Sequence, residues 1–388
     1  MNILFLTQYD LANPDFGGPV FKVRYLSNYM ANLGHNVKVV TVDDGKDKIN
    51  NLKDLRDCLH DRVQTIRLST LLRYRAVTLN PSILSVAQRQ VPLVDIIHIF
   101  GFYDLLSPFV ARSARTHDIP YVLEPLGMFT PIVRSLLKKK IYHGLLGRRL
   151  VAGAEFIVAT SAQEKKELVS SGMESQRIVI RRNGIDLSEF SNLPERGQMR
   201  SRFGIQPDER VLLYLSRLSP KKNPEMLMRA FAKLDLPRTK LVLAGPNESG
   251  YLEKLQRIRA ELELESSIIF VGPLFGNEKI SAMVDADIFV LPSTNENFGN
   301  VIAESVAAGT PVVITNKCGI APFIRDRVGL VVSPNQHELE QAIVTLLSNT
   351  SLYKRLELAC SDVAKEFSWD QPAASMEKLY KTILTRRQ

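Results

Sequence analysis

Three cysteines in 388 residues are too few for a disulfide framework. Cys58, Cys318 and Cys360 are far apart, odd in number and without metal-ligand spacing. That argues against a zinc site and for a reducing cytoplasm. Long apolar runs are missing too. No stretch approaches the roughly 18 apolar residues of a membrane-spanning helix. The opening Ile3-Leu4-Phe5-Leu6 lacks the basic flank of a secretion signal and reads as a first buried strand. There is no short repeat and no low-complexity segment. A Gly-x-Gly-x-x-Gly dinucleotide fingerprint is absent, so no redox cofactor is indicated.

What is present is a globular composition, 45% hydrophobic and 23% charged. A chain of this length suits two domains, each with its own core. The net charge of +9 fits an anionic substrate, an anionic membrane surface or nucleic acid. Basic residues are spread along the chain without a nucleic-acid motif, so nucleic acid is not an expected partner.

Short apolar runs alternate with longer helical stretches, the pattern of parallel sheets covered on both faces. Strands are expected at residues 3–7, 37–42, 65–68, 95–99, 121–124, 156–160 and 178–181. A second set falls at 211–215, 240–244, 268–271, 288–291, 311–315 and 330–332. Between the sets, residues 186–208 are polar and hold Pro194, Gly197, Gly204 and Pro207, a stretch that reads as containing the linker. The fold class is therefore α/β, with two Rossmann-like doubly wound parallel-sheet domains at 1–187 and 188–369. Such sheets bind ligands beyond the carboxyl ends of their strands. Two of them facing across a cleft would suit an enzyme that joins two substrates.

Three motifs sit at expected strand ends. Asp15-Phe16-Gly17-Gly18-Pro19 precedes a helix with apolar Val20, Val23, Leu26, Met30 and Leu33. It is either a plain turn or a glycine loop that lets a pyrophosphate approach a helix start. Ser216-Arg217-Leu218-Ser219-Pro220-Lys221-Lys222-Asn223 is either a solvated basic loop or a clamp on a diphosphate leaving group. The stretch from Pro292 to Glu304 places Glu296 before a helix and Glu304 inside it, with Phe298-Gly299-Asn300-Val301 at the junction. Two such carboxylates can accept hydrogen bonds from sugar and ribose hydroxyls, and the helix start can meet phosphate.

Glu296 and Glu304, with Phe298-Gly299 between them and Gly309-Thr310-Pro311-Val312-Val313 after, resemble the E-x7-E signature of retaining group 1 (family 4) glycosyltransferases. The resemblance covers nearly the whole chain. Gly17-Gly18 is similar to that family's glycine loop, and Arg217 and Lys222 to its Arg and Lys five apart. Asn183-Gly184-Ile185-Asp186 resembles its turn into the second domain. Gly245 and Gly272-Pro273-Leu274 match its strand ends, and Phe367-Ser368-Trp369 the start of its last helix. The resemblance implies a GT-B fold, a nucleotide-sugar co-substrate with UDP the commonest nucleotide, and retention of configuration without a metal or other cofactor. It also implies roles. Glu296 would hold the donor sugar and Glu304 the ribose. Arg217 and Lys222 would bind the diphosphate, approached by Gly17 and Gly18. Backbone groups at Phe298, Gly299, Asn300 and Val301 would contact sugar and phosphates, with Leu274 near the base. The last helix, 370–388, would pack back on the first domain. The acceptor would be a glycan or lipid-linked molecule in surface polysaccharide or lipopolysaccharide assembly.

Two departures stand out. Asn223 replaces a glycine common after the lysine, and Leu126 stands where many relatives carry an acceptor-side histidine. Glu124 is a candidate to help on that side. His98, matching a histidine frequent in the family, is expected at a strand end, where it either contacts a sugar or is satisfied by a neighbouring group. Residues 135–149 hold Lys138-Lys139-Lys140 and Arg148-Arg149 among leucines. They form either a packed helix with exposed lysines or a peripheral contact with an anionic membrane, though the helical period gathers no single apolar face. Ser161-Ala162-Gln163-Glu164 reads as a capping box, and Phe367 and Trp369 as packing anchors. Two other readings remain: a same-fold epimerase or phosphorylase, and a non-catalytic nucleotide-sugar or glycan binding subunit.

Overall fold

The computed structural model describes all residues except 14–16, 44–58, 75–76, 130–140, 235 and 388. Asp15, Phe16, Cys58 and Lys138-Lys139-Lys140 thus lie outside the described residues. The chain forms two units, Met1–Gly184 with Trp369–Gln388, and Ile185–Ser368. The crossings fall between Gly184 and Ile185 and between Ser368 and Trp369, where the sequence pattern suggested 187/188 and 369/370.

The first unit carries a seven-stranded sheet. Its strands are β1 (Asn2–Thr7), β2 (Asn36–Val42), β3 (Val63–Leu68), β6 (Ile96–Phe100), β7 (Tyr121–Glu124), β8 (Phe156–Ala159) and β9 (Ile178–Ile180). They lie in the order β3-β2-β1-β6-β7-β8-β9, all parallel. A small hairpin, β4 (Leu72–Tyr74) with β5 (Val77–Leu79), stands apart. The sequence pattern missed it, because three-residue strands carry too little alternation to read.

The second unit has six parallel strands: β10 (Arg210–Leu215), β11 (Thr239–Ala244), β12 (Ile268–Gly272), β13 (Ile288–Leu291), β14 (Val312–Thr315) and β15 (Gly329–Val332). Their order is β12-β11-β10-β13-β14-β15. Every strand expected from the sequence forms, with ends within about two residues. The reason is burial on both faces. The residues of β6, β7, β13 and β14 are buried throughout, so apolar residues follow one another without alternation.

Residues 186–208 are not a linker. They contain the 3₁₀ turn Leu187–Phe190 and the helix Gln198–Arg202, and Phe190, Met199 and Ile205 enter the second unit's core. The polar residues there pin rather than connect. The buried Asp285 carboxylate accepts from the backbone N–H groups of Gly197, Met199 and Arg200. It caps a helix whose own cap residue, Gly197, has no side chain.

In the first unit, the helix Gly18–Asn32 buries Val20, Val23, Leu26 and Met30. Leu33, expected on the same face, is instead the exposed residue that ends it. The returning helix Asp370–Thr385 contributes Met376, Tyr380 and Ile383 to this core, with Trp369 beside them. Phe367 is buried in the other unit. Ser161 accepts from the Glu164 N–H, as a capping box requires. The Glu164 carboxylate then accepts from the N–H groups of Thr160 and Gly127, fixing the loop after β7.

Candidate functional site

In the second unit the chain runs from β10 outward to β11 and β12, then returns to place β13 on the other side of β10. The switch point therefore lies between β10 and β13, where open sheets leave a crevice at their carboxyl ends. The loop after β10 carries Arg217 and Lys222, and the loop after β13 carries Glu296. Thr294 joins the loops, its N–H and hydroxyl both donating to the Lys221 carbonyl. Lys222 Nζ contacts Glu296 Oε2 directly.

Lys222 is buried to 7% exposure. Burial, then the nearby Arg217 and Lys221 charges, pushes its ammonium down to about 7. The Glu248 carboxylate pulls the other way. The lysine is thus a cation held at some cost, ready for a stronger anion. Arg217 is more than half exposed and pairs with Glu248 at 3.3 Å.

Asn223 explains its own departure. Its φ of 56° is left-handed, a conformation glycine takes freely and asparagine tolerates better than most. Gly245, which ends β11, has φ 143°, and a Cβ there would stand 1.8 Å from the Ser216 carbonyl oxygen. Only glycine lets the ends of β10 and β11 meet so closely.

Past Glu296, Gly299 at φ 102° starts the helix Asn300–Ala307, which no side chain caps. Such a start favours an anion. A Cβ on Gly299 would crowd Ile302 at 2.7 Å and Glu296 Cγ at 3.3 Å, so the glycine seats Glu296 against the helix. Phe298 and Leu274 are buried by their side chains, so each could meet a ligand only through its backbone. Val301 packs against the same core. Glu304 lies within the helix and pairs with Lys279 Nζ at 3.1 Å. Lys279 comes from the helix Gly276–Asp285. Nothing in the sequence pattern singles it out, since one lysine on a helix is ordinary. Cys318, whose backbone pairs with Glu296, is buried, and burial pushes its thiol up to about 11.

The first unit corrects two expectations. His98 is not at a strand end. It lies inside β6, wholly buried, with Nδ1 2.6 Å from the Tyr380 hydroxyl and its ring stacked on Phe100. Burial lowers it to about 4, so it is neutral. Glu124 is also wholly buried, bonded to Lys22, with both its oxygens accepting from Arg181 Nη2. Burial alone would raise its pKa; the Arg181 and Lys22 charges outweigh that and hold the carboxyl well below the usual range. Both residues belong to the unit's interior, not to an acceptor surface. Leu126 has φ 56° and packs against the core. Gly17 takes φ 62°, ψ −135° as the cap of the helix that begins with Gly18, with open space where a Cβ would be. A ligand can come close to such a backbone.

Two doubly wound units, one with a lysine–glutamate pair and an uncapped helix start at its switch point, define a class of α/β protein whose strand ends suit an anionic ligand. Comparison with known proteins narrows this. Residues 17–184 match the model for the glycosyl transferase 4-like domain, and residues 195–359 that for glycosyl transferases group 1. This chain belongs to the group 1 glycosyltransferases. It is similar to D-inositol 3-phosphate glycosyltransferase of Streptomyces bingchenggensis, 30% identical over 244 residues, covering 60% of this chain and 54% of that protein. The chain spans about half the length of the curated relatives it matches. Its fold is similar to that of Anabaena Alr3699/HepE in complex with UDP and glucose (TM-score 0.79, 20% identity, 98% of this chain and 100% of the other). It is also similar to sucrose-phosphate synthase of Thermosynechococcus elongatus (TM-score 0.77, 21% identity, the whole of both chains). These likenesses define the fold as GT-B.

Proposed function

We propose that the chain transfers a sugar from a nucleoside-diphosphate-sugar donor, with UDP as the nucleotide, to a glycan or lipid-linked acceptor in surface polysaccharide or lipopolysaccharide assembly, retaining the anomeric configuration. The observation that carries this is the Lys222–Glu296 pair at the switch point. Neither group needs the other in a donor complex. The diphosphate takes over Lys222, with Arg217 beside it, and Glu296 is released to accept from sugar hydroxyls. Lys222 and Arg217 then stabilise the charge that develops on the departing diphosphate, work that needs no metal. The uncapped start of Asn300–Ala307 adds backbone donors near Gly299, Asn300 and Val301. Glu304 holds the ribose and the backbone at Leu274 lies by the base. On the first unit, the backbone at Gly17 and Gly18 is a further candidate contact for phosphate. This arrangement of charge-stabilising groups suits a front-face reaction in which the leaving phosphate takes the acceptor's proton.

The bound neighbour supports the donor class, since Alr3699/HepE is seen with UDP and glucose. The acceptor and a place on the cytoplasmic face of the membrane are inferred from net charge and family habit. Among the described residues no helix is long and apolar enough to cross a membrane. The test is release of free nucleotide from UDP-, GDP- and ADP-sugars supplied with candidate acceptors, with NMR of the product's anomeric proton. Release that depends on acceptor and is lost in Glu296→Gln supports the reading. Tight donor binding without release under any acceptor would favour the binding-subunit alternative.

A further inference from the structure

We infer that the side-chain amide of Gln8 is a specificity-determining contact for the acceptor, and that it reads a pair of adjacent hydroxyls on a neutral sugar. In the first unit the chain runs from β1 outward to β2 and β3, then returns to place β6 on the other side of β1. The switch point of this sheet therefore lies between β1 and β6, where open sheets take ligands. Gln8 is the first residue past β1. It is buried to 5% exposure and lies across the end of β6, where Gly101 makes room for it. A Cβ on Gly101 would stand 3.2 Å from Gln8 Nε2, and the φ of 120° there suits glycine alone.

The amide reaches the loop after β7 and finds little there. Among the described residues, Nε2 donates only to the Met128 thioether, at 3.8 Å, and Oε1 has no partner. The Tyr9 hydroxyl donates to the same sulfur at 3.7 Å. Two donors thus converge on a weak acceptor, beside an acceptor without a donor. The backbones that carry these groups are fixed. The Tyr9 carbonyl accepts from the Thr41 hydroxyl. The Gly127 N–H donates to the Glu164 carboxylate, and the Met128 N–H to the Pro125 carbonyl. The Met128 side chain is the movable part, because its rotatable bonds let it swing aside.

A buried carbonyl oxygen without a hydrogen bond is destabilising, and packing gives no reason to keep it. A ligand that replaces the sulfur must both give and take a hydrogen bond. A carboxylate or a phosphomonoester dianion has no hydrogen for Oε1, and an ammonium has no lone pair for Nε2 or Tyr9. Two adjacent hydroxyls do both: one donates to Oε1 while the other accepts from Nε2 and from the Tyr9 hydroxyl. All the groups are neutral, so their burial carries no charge penalty. The inference rests on the glycan acceptor of the proposed function and adds which residue selects it and by which groups. It uses no atom of the second unit's donor site.

The experiment is NMR of the whole chain with methyl-labelled methionine, titrated with the methyl glycosides of glucose, galactose and mannose and with acetate. Met128→Leu identifies the Met128 signal. We expect at least one glycoside to shift that signal saturably and acetate to leave it unmoved. Gln8→Met keeps the side-chain length and deletes both amide groups. Glycoside affinity should then fall roughly tenfold, while the melting temperature stays level or rises because an unpartnered buried amide has gone. Among monodeoxy forms of the glycoside, at least one should bind the parent and Gln8→Met alike. UDP affinity stays as in the parent chain, so failure of the donor site, read as loss of UDP binding, is distinct from failure here. The inference is overturned if no glycoside moves the Met128 signal, which leaves the amide to water, or if acetate moves it as far. It is also overturned if Gln8→Met binds glycosides as the parent does, or if it lowers the melting temperature, which makes the amide a structural group.

Discussion

At the residue scale, Lys222 decides the chemistry. Its ammonium is pushed down to about 7 by burial and by the Arg217 and Lys221 charges, so only part of the free protein carries the charge that a diphosphate needs. Affinity for UDP should fall as pH rises above about 7, by up to roughly tenfold per unit once the lysine is neutral. Titration calorimetry across pH 6 to about 9 checks it, and Lys222→Arg should flatten the profile because arginine stays charged. Lys279 pairs with Glu304, so under the proposed ribose role of Glu304 it is a positioning residue. In Lys279→Ala the donor KM rises several-fold with kcat little changed, and the preference for a ribo- over a 2′-deoxyribo-nucleotide shrinks. A role limited to helix stability would leave that preference intact.

Residue identity was legible where the backbone demands it. Arg217, Lys222 and Glu296 were placed in the loops after β10 and β13, and Glu304 in the helix that follows, because strand runs are easy to read and these positions are counted from them. His98 was misplaced because β6 runs on to Phe100, two residues past it, and strand ends are legible only to about that margin. Lys279 was invisible because its meaning comes from Glu304, a partner far along the chain.

At the element scale, buried charge holds the first unit's pieces in register. Glu124 on β7 binds Lys22 of the helix Gly18–Asn32 and Arg181 just past β9. The Arg181 guanidinium lies over the Trp369 ring, 5.3 Å from its centre. Glu124→Ala leaves two buried cations without a partner and should cost roughly 3 to 5 kcal/mol, read as a fall in the urea midpoint. The pH dependence follows from the signs. Glu124 is depressed, so its contribution is present above the ordinary carboxylate range near pH 4 and is lost as pH falls below it. His98 is also depressed, to about 4. The unfolded chain takes up that proton first, so stability drops as pH falls from about 6.5 to about 4, and His98→Asn should remove the slope between pH 6.5 and 5. In the second unit Asp285→Ala removes three backbone acceptor contacts. It should cost on the order of 3 kcal/mol, and hydrogen exchange should rise in residues 197–202. The sequence misread this region as a linker because proline, glycine and charge look alike whether they connect domains or cap a helix.

At the scale of the whole molecule, the chain passes between units twice, and the crossings run together. The Ile185 N–H donates to the Phe367 carbonyl at 2.8 Å, and Ile185 bridges Ser368. Gly184 lies against Trp369, and a Cβ there would meet the Trp369 backbone at 2.7 Å. Backbone on backbone cannot yield by a rotamer change, so Gly184→Ala should destabilise the first unit by about 1 to 3 kcal/mol. A calorimetric scan should show this as a lower melting temperature. Two doubly wound units were readable from alternating strand and helix signals alone. The places where the chain changes units were read less closely, because the contacts that set them join residues about 180 positions apart, as Gly184 and Trp369 are.

The central claim is that the second unit's switch point binds a nucleoside diphosphate through Lys222. Calorimetric titration of UDP into the parent chain and into Lys222→Ala tests it most directly. The account predicts saturable binding by the parent and at least a tenfold loss in the variant, consistent with removal of a charge-assisted contact to phosphate, with the fold unchanged by circular dichroism. Equal affinity in both proteins, or no binding of UDP, GDP or ADP by the parent, would contradict it.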